Sequence, residues 1–65
     1  MQQLVMVRFS EWGRLFTFRA NDDVEVGDMV RVATWVNPQG VTLEVEDTAP
    51  MVTNEGYSVA VKVSK

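Results

Sequence analysis

The chain has 65 residues, 46% hydrophobic and 23% charged, with six basic and nine acidic side chains and a formal net charge of -3. That length supports one core rather than two, and a domain so small usually needs a staple. Cys is 0 and His is 0, which excludes disulfides, the usual zinc sites and nucleophile pairs of the Cys–His or Ser–His kind.

Apolar residues alternate with polar ones in five short stretches. A period of two marks a strand with one buried face. The first strand is predicted over residues 3–9, with Val5, Val7 and Phe9 inward. Ser10-Glu11-Trp12-Gly13 reads as a turn in which Gly13 can take a positive φ. The second strand is predicted over residues 14–20, with Phe16, Phe18 and Ala20 inward, and the short link makes these two an antiparallel hairpin. Asn21-Asp22-Asp23 then breaks the pattern.

Val26-Gly27-Asp28 precedes a third strand over residues 29–35, with Val30 and Val32 inward. Its glycine permits a tight reversal, and its aspartate can bond the backbone of the turn. Asn37-Pro38-Gln39-Gly40 is the next turn, with proline at its first central position. The fourth strand covers residues 41–46: Val41, Leu43 and Val45 face the core, and Thr42, Glu44 and Glu46 face water. Residues 47–56 are irregular, with a short helical turn expected near residues 49–53 and Met51 and Val52 covering an open end of the core. The last strand covers residues 57–63, with Val59, Val61 and Val63 inward and Lys62 in water.

Five strands with one buried face each must curl up or form two layers. The expected fold is all-β: a small, five-stranded, strongly bent antiparallel barrel, filling residues 1–65 as one domain and leaving no room for a separate catalytic layer. The lack of a predicted helix of normal length favours an SH3-like barrel over the OB-like alternative. The N-terminal apolar stretch Leu4-Val5-Met6-Val7 stops at Arg8, too short for a transmembrane helix or a signal peptide, so the cytoplasm is the expected compartment.

The chemistry-bearing residues are few. Asp22 with Asp23, and Glu46 with Asp47, are adjacent in sequence, so their side chains diverge and read as solvated turn residues. Asn21, Asp22, Asp23 and Glu25 could offer oxygens to calcium, but their spacing matches no known calcium loop. Phosphate-cradling glycine motifs are absent, and no cofactor is implied. Large apolar side chains in the polar phase are more informative: Leu4 and Met6 in the first strand, Leu15 in the second, Met29 and Trp35 in the third, with Trp12 in a turn. Two readings stay open for them. Strong bending covers both faces of the barrel and the tryptophans cap its ends, or Leu4, Met6, Met29 and Trp35 form a patch that binds another chain. In the second reading Trp12 joins the contact and Arg14 and Arg31 orient it.

Arg14, Phe16, Phe18 and Arg31 also allow a nucleic-acid reading, in which rings stack bases and guanidiniums take phosphates. The core phase of both phenylalanines and the acidic balance weigh against it. The stretch Arg14-Leu15-Phe16-Thr17-Phe18, then Val26-Gly27-Asp28-Met29-Val30-Arg31-Val32, then Gly40-Val41-Thr42-Leu43-Glu44-Val45, resembles the small N-terminal β-barrel of the primosomal helicase PriA family. About half of the chain carries the resemblance. It implies a barrel, and a domain that binds the 3′ end of a DNA strand; the helicase is absent and the charge here is acidic. The leading expectation is a non-enzymatic module acting through protein–protein contacts, an adaptor or inhibitor of the kind a phage or mobile element uses against a host factor. Its partner is another protein or a second copy of itself. A single-stranded DNA or RNA binder using Arg14, Arg19 and Arg31 is the alternative, a structural protein that self-associates through the apolar patch is a further one, and no membrane partner is expected.

Overall fold

A computed structural model describes residues 2–10, 13–50 and 56–64. The strands are β1 (Gln3–Arg8), β2 (Leu15–Ala20), β3 (Met29–Val32), β4 (Val41–Pro50) and β5 (Val61–Ser64). They form one antiparallel sheet in the order β2-β1-β4-β3-β5. A flat sheet with its side chains is roughly 10 Å thick. This molecule measures 27 × 24 × 21 Å because the sheet curls onto itself. The two ends of the sheet meet where the Arg19 N–H donates to the Ser58 carbonyl (2.9 Å) and the Ala60 N–H donates to the Arg19 carbonyl (2.8 Å), an isolated parallel bridge. The fold is therefore the small, strongly bent, five-stranded all-β barrel that the alternation predicts. Among the described residues there is no helix.

The curl has a visible hinge. β4 is ten residues long and serves two partners. Its first part pairs with β3 (Val32↔Val41 to Met29↔Glu44), its second with β1 (Val7↔Val45, then Met6↔Asp47). Glu46 is the extra residue between those last two pairs. Such a bulge bends a strand and exchanges which residues face inward. Val41, Leu43 and Val45 point to the core before it; after it Thr48 stands opposite inward Val5. The core itself is narrow and valine-rich: Val5, Val7, Val30, Val32 and Val45 are fully buried, with Phe18, Ala20, Val24 and Ala60 around them. Branched side chains fit a pleated, inward-curving surface, and short ones let the sheet close tightly.

Two turns form as their residues dictate. The Asp28 N–H donates to the Glu25 carbonyl (3.0 Å), and Gly27 takes φ 98° at the third position of that turn. The Asp28 carboxylate accepts the Glu25 N–H (3.0 Å), so the aspartate does bond its own turn. In the second turn the Gly40 N–H donates to the Asn37 carbonyl (2.9 Å), again with φ 98°. Gly13 also closes a turn, donating to the Ser10 carbonyl (3.1 Å), but without a positive φ. It is small for a different reason, since a Cβ there would lie 2.9 Å from Ser10 Oγ.

Four expectations change. β3 ends at Val32, so Ala33 and Trp35 belong to a loop. Thr34 bonds Asn37 twice, through its N–H to the carbonyl (3.1 Å) and its Oγ1 from the N–H (3.0 Å), and this local pairing takes the chain out of the ladder. Ala49 and Pro50 continue β4 rather than starting a helical turn; residues 51–53 of that expected turn, with Met51 and Val52, lie outside the described residues, as do Trp12, Glu11, Asn54 and Glu55. β5 has the opposite phase to the one expected: Val61 and Val63 are more than half exposed, while Ala60 is buried and Lys62 stands opposite inward Val30. Lys62 does not face open water. Its stem lies on the core side and its ammonium reaches the buried Asp28 carboxylate (3.5 Å) and the Asp23 carbonyl (3.2 Å). Finally, Phe9 and Phe16 are in the inward phase but emerge at the barrel's rim, 37% and 40% exposed.

Candidate functional site

The barrel has one stitched end and one open end. At the stitched end the Gln3 side-chain amide pairs with the backbone of Val24, donating through Nε2 to its carbonyl (2.7 Å) and accepting its N–H at Oε1 (3.0 Å). The Asp28 turn and Lys62 complete that closure. The open end lies at the other side of the β1–β2 hairpin, where Phe9 leaves β1 and Phe16 begins the inward phase of β2.

Aromatic rings line this mouth. Phe9 packs edge-on against Phe16 (centroids 5.3 Å, 78°) and against Phe18 (6.3 Å, 65°). The Arg14 guanidinium lies over the Phe16 ring, 5.4 Å from its centroid, where a cation is attracted to the ring face. Across from them stands the β3–β4 loop. Its Trp35 is 100% exposed and Val36 86%. Two hollows flank the loop and share Thr34. One, about 400 Å³, is lined by Phe9, Phe16, Thr34, Val36 and Asn37. The other, about 610 Å³, is lined by Phe18, Ala33, Thr34, Trp35, Pro38 and Ser58.

The structure separates the residues that sequence analysis grouped. Leu4 and Met6 sit half-buried on the outer face of β1, beside Arg19 and Thr17 of β2 and Ala49 and Asp47 of β4. Met29, also half-buried, starts β3 opposite Glu44, at the end of that strand away from the Trp35 loop. Trp35 and Arg14 are at the mouth. Arg31 is exposed on β3, and its Cγ and Cδ lie 2.8 and 2.9 Å from where a Cβ on Gly40 would be. Arg19 is half-buried in the seam, its Nε donating to the Tyr57 carbonyl (3.1 Å). Arg14 and Arg19 lie five residues apart on one extended segment, roughly 16 Å at the usual rise. The three arginines therefore do not form one phosphate-binding cluster. Trp12 lies outside the described residues.

Sequence analysis missed Val36 altogether and placed Phe9 and Phe16 in the core. The signal for Val36 was present: an apolar pair, Trp35-Val36, directly before the Asn-Pro turn, where a loop cannot bury it. Among the described residues no group of three or more carboxylates gathers to hold a cation, and no helix is long and apolar enough to cross a membrane. Set against protein-family models, curated proteins and solved structures, the chain gives no match in any of the three.

Proposed function

We propose that this protein is a non-catalytic binding module that acts through protein–protein contacts at the barrel mouth. The observation that carries the reading is Trp35, fully exposed at the edge of one hollow, beside Val36 at the edge of the other. A large indole left in water contributes nothing to the barrel's own core, whereas tryptophan is among the commonest energetic anchors of interfaces. Arg14, held over Phe16 at the same rim, would orient the partner. Such a module suits an acidic cytoplasmic adaptor or inhibitor, such as a phage or mobile-element protein acting on a host factor. Leu4, Met6 and Met29, half-buried and away from the Trp35 loop, lie outside this contact.

The pairing of Arg14 with a half-exposed Phe16 also favours a second reading, a barrel that stacks a base of single-stranded DNA or RNA on Phe16. A salt titration separates the two. Oligonucleotide binding should weaken steeply as salt rises, and an apolar protein contact should not. The expected result is no binding of short single strands at low salt, and salt-tolerant capture of a protein partner that Trp35→Ala abolishes. Undiminished capture by Trp35→Ala would remove Trp35 from the site; tight, salt-sensitive oligonucleotide binding would replace the first reading with the second.

A further inference from the structure

We infer that the partner is a second copy of this chain: two barrels meet mouth to mouth about a two-fold axis, each setting its Trp35-Val36 loop on the ring-lined hollow of the other. This rests on the binding-module reading and names the partner of that mouth.

Burial gives the first reason. The core consists of valines and alanines around one ring, Phe18, while Trp35 and Val36 are 100% and 86% exposed and Phe9 and Phe16 emerge partly at the same rim. The chain leaves its largest side chain outside a core that is short of large side chains. A domain of this size with no disulfide commonly gains the missing burial by oligomerising. A whole tryptophan, Val36 and the free parts of two phenylalanines offer on the order of 500 Å² of apolar surface. Two such faces together bury about 1,000 Å², which reaches the area a specific contact between proteins needs.

The placement of knob and hollow gives the second. Thr34 and Val36 border the hollow of about 400 Å³ that Phe9 and Phe16 line, and Trp35 sits between them on the loop. A protruding side chain and a surface to receive it therefore share one face. A two-fold axis passing between the two carries each onto its counterpart in the partner, so one contact covers both. Such a contact closes as a dimer, whereas chains that grow head to tail need knob and hollow on different faces. Phe9 and Phe16 already pack edge-on (5.3 Å, 78°), and the incoming indole extends that ring cluster.

Charge gives the third. Nine acidic against six basic side chains make two copies repel over most approaches. Among the described residues the carboxylates lie away from the mouth, in residues 22–28 beside the stitched end and at Glu44, Glu46 and Asp47 outside β4. Arg14 is the one charge those residues place at the mouth, and it is exposed at the rim, over Phe16, where its head can stay in water. The mouth is thus the face on which two acidic chains can meet without setting carboxylate against carboxylate.

The test is sedimentation of the full chain from micromolar to millimolar concentration, at low and high salt. The inference expects a monomer–dimer equilibrium with no larger species and little dependence on salt. A two-fold interface holds every residue twice, so Trp35→Ala should raise the dissociation constant about a hundredfold. Leu4→Gln, on the outer face, should leave it unchanged. In a mixture of isotope-labelled and unlabelled chains, intermolecular NOEs should join the Trp35 indole to the Phe9 and Phe16 rings. In dilute solution the parent and Trp35→Ala should melt alike; as concentration rises, only the parent's Tm should climb. The dilute melt shows that the variant folds, so its failure to pair reports on the contact. A monomer at every concentration, a dimer that Trp35→Ala leaves intact, or oligomers that keep growing would each overturn the inference. If the chain stays monomeric while a different protein binds through Trp35, self-association fails and the binding-module reading survives. If nothing binds through Trp35, both fail.

Discussion

The two ends of this barrel use the same strands and opposite chemistry. At the stitched end, backbone groups that the sheet cannot pair are satisfied by side chains: Gln3 for Val24, Asp28 for Glu25, Lys62 for Asp23. At the mouth, rings meet rings and the loop holds an indole in water. In a chain this short, the polar stitching fixes the closure, and the apolar surplus is left where closure does not need it. Net stability for 65 residues is on the order of 3–10 kcal/mol. Residues at the stitched end should therefore govern whether the barrel folds, and residues at the mouth should not.

Asp28 should break that comparison most visibly. Its carboxylate is buried, accepts the Glu25 N–H at 3.0 Å and faces the Lys62 ammonium at 3.5 Å. Asp28→Ala frees the turn and leaves Lys62, half on the core side, without its counter-charge. Removing one partner of a buried pair typically costs about 3–5 kcal/mol, and the partial exposure of Lys62 places this case at or below the lower end, near 2–3 kcal/mol. Urea unfolding should show a large fall in midpoint. An unchanged midpoint would mean that the Asp28 closure does not hold the barrel.

Val45→Ala comes next. Val45 sits at the point where β4 passes from β3 to β1, and its N–H and carbonyl bond Asp28 and Gly27. Truncating a fully buried side chain should cost about 1–3 kcal/mol through lost burial and the cavity left behind. The same truncation at Val36, in the mouth, should change unfolding by less than about 0.5 kcal/mol. Similar costs at the two positions would erase the distinction between the ends.

The glycines sharpen it further. Gly27 and Gly40 share φ 98°, but nothing lies within 4 Å of a Cβ built on Gly27, whereas Gly40 faces the Arg31 stem at 2.8 Å. Gly27→Ala should cost only the backbone strain, about 1 kcal/mol. Gly40→Ala should cost that plus whatever Arg31 loses by moving, a few tenths of a kcal/mol for a flexible exposed stem. Equal midpoints for the two variants would show that Arg31 yields freely.

The same contrast explains how much could be read from the sequence. β1, β2 and β4 up to residue 46 were legible with their phases, because Val5, Val7, Phe18, Ala20 and Val45 alternate with polar residues and are buried, whereas the continuation of β4 past its bulge was not. Both turns were legible, because Pro38 has its φ fixed and Gly27 and Gly40 reach the positive φ that other residues rarely adopt. The phase of β5 was not. Alternation reports that two faces differ, and it assigns the apolar one to the core by default. Here Val61 and Val63 lie outside, since the bridge at Arg19 puts Ala60 inside and Asp28, far away in sequence, offers Lys62 a buried partner. Nor could phase tell Phe16 from Phe18. Both point inward, but phase carries no depth, and Phe16 is one pleat nearer the mouth. The grouping of Leu4, Met6 and Met29 with Trp35 came from phase alone, and the loop turn at Thr34 and Asn37 places Trp35 away from them.

Trp35 gives the smallest expected effect on stability and the sharpest test of the comparison. Its surroundings in the hollow are Pro38, Thr34 and Ala33 of its own loop, with Phe18 and Ser58 across, yet its side chain is wholly in water. Trp35→Ala should therefore change unfolding by less than about 0.5 kcal/mol. For a domain of this size ~1 kcal/mol shifts Tm by about 4–8 °C, so the variant should melt within 2–4 °C of the parent. A cap over the core would behave differently, because truncating a buried aromatic costs about 3–5 kcal/mol and would unfold much of so small a protein. A melting curve thus tests this exposure, which already sets aside the expected capping role, without any partner in hand. A parent-like melt leaves its indole free for another chain; a collapsed one returns it to the core.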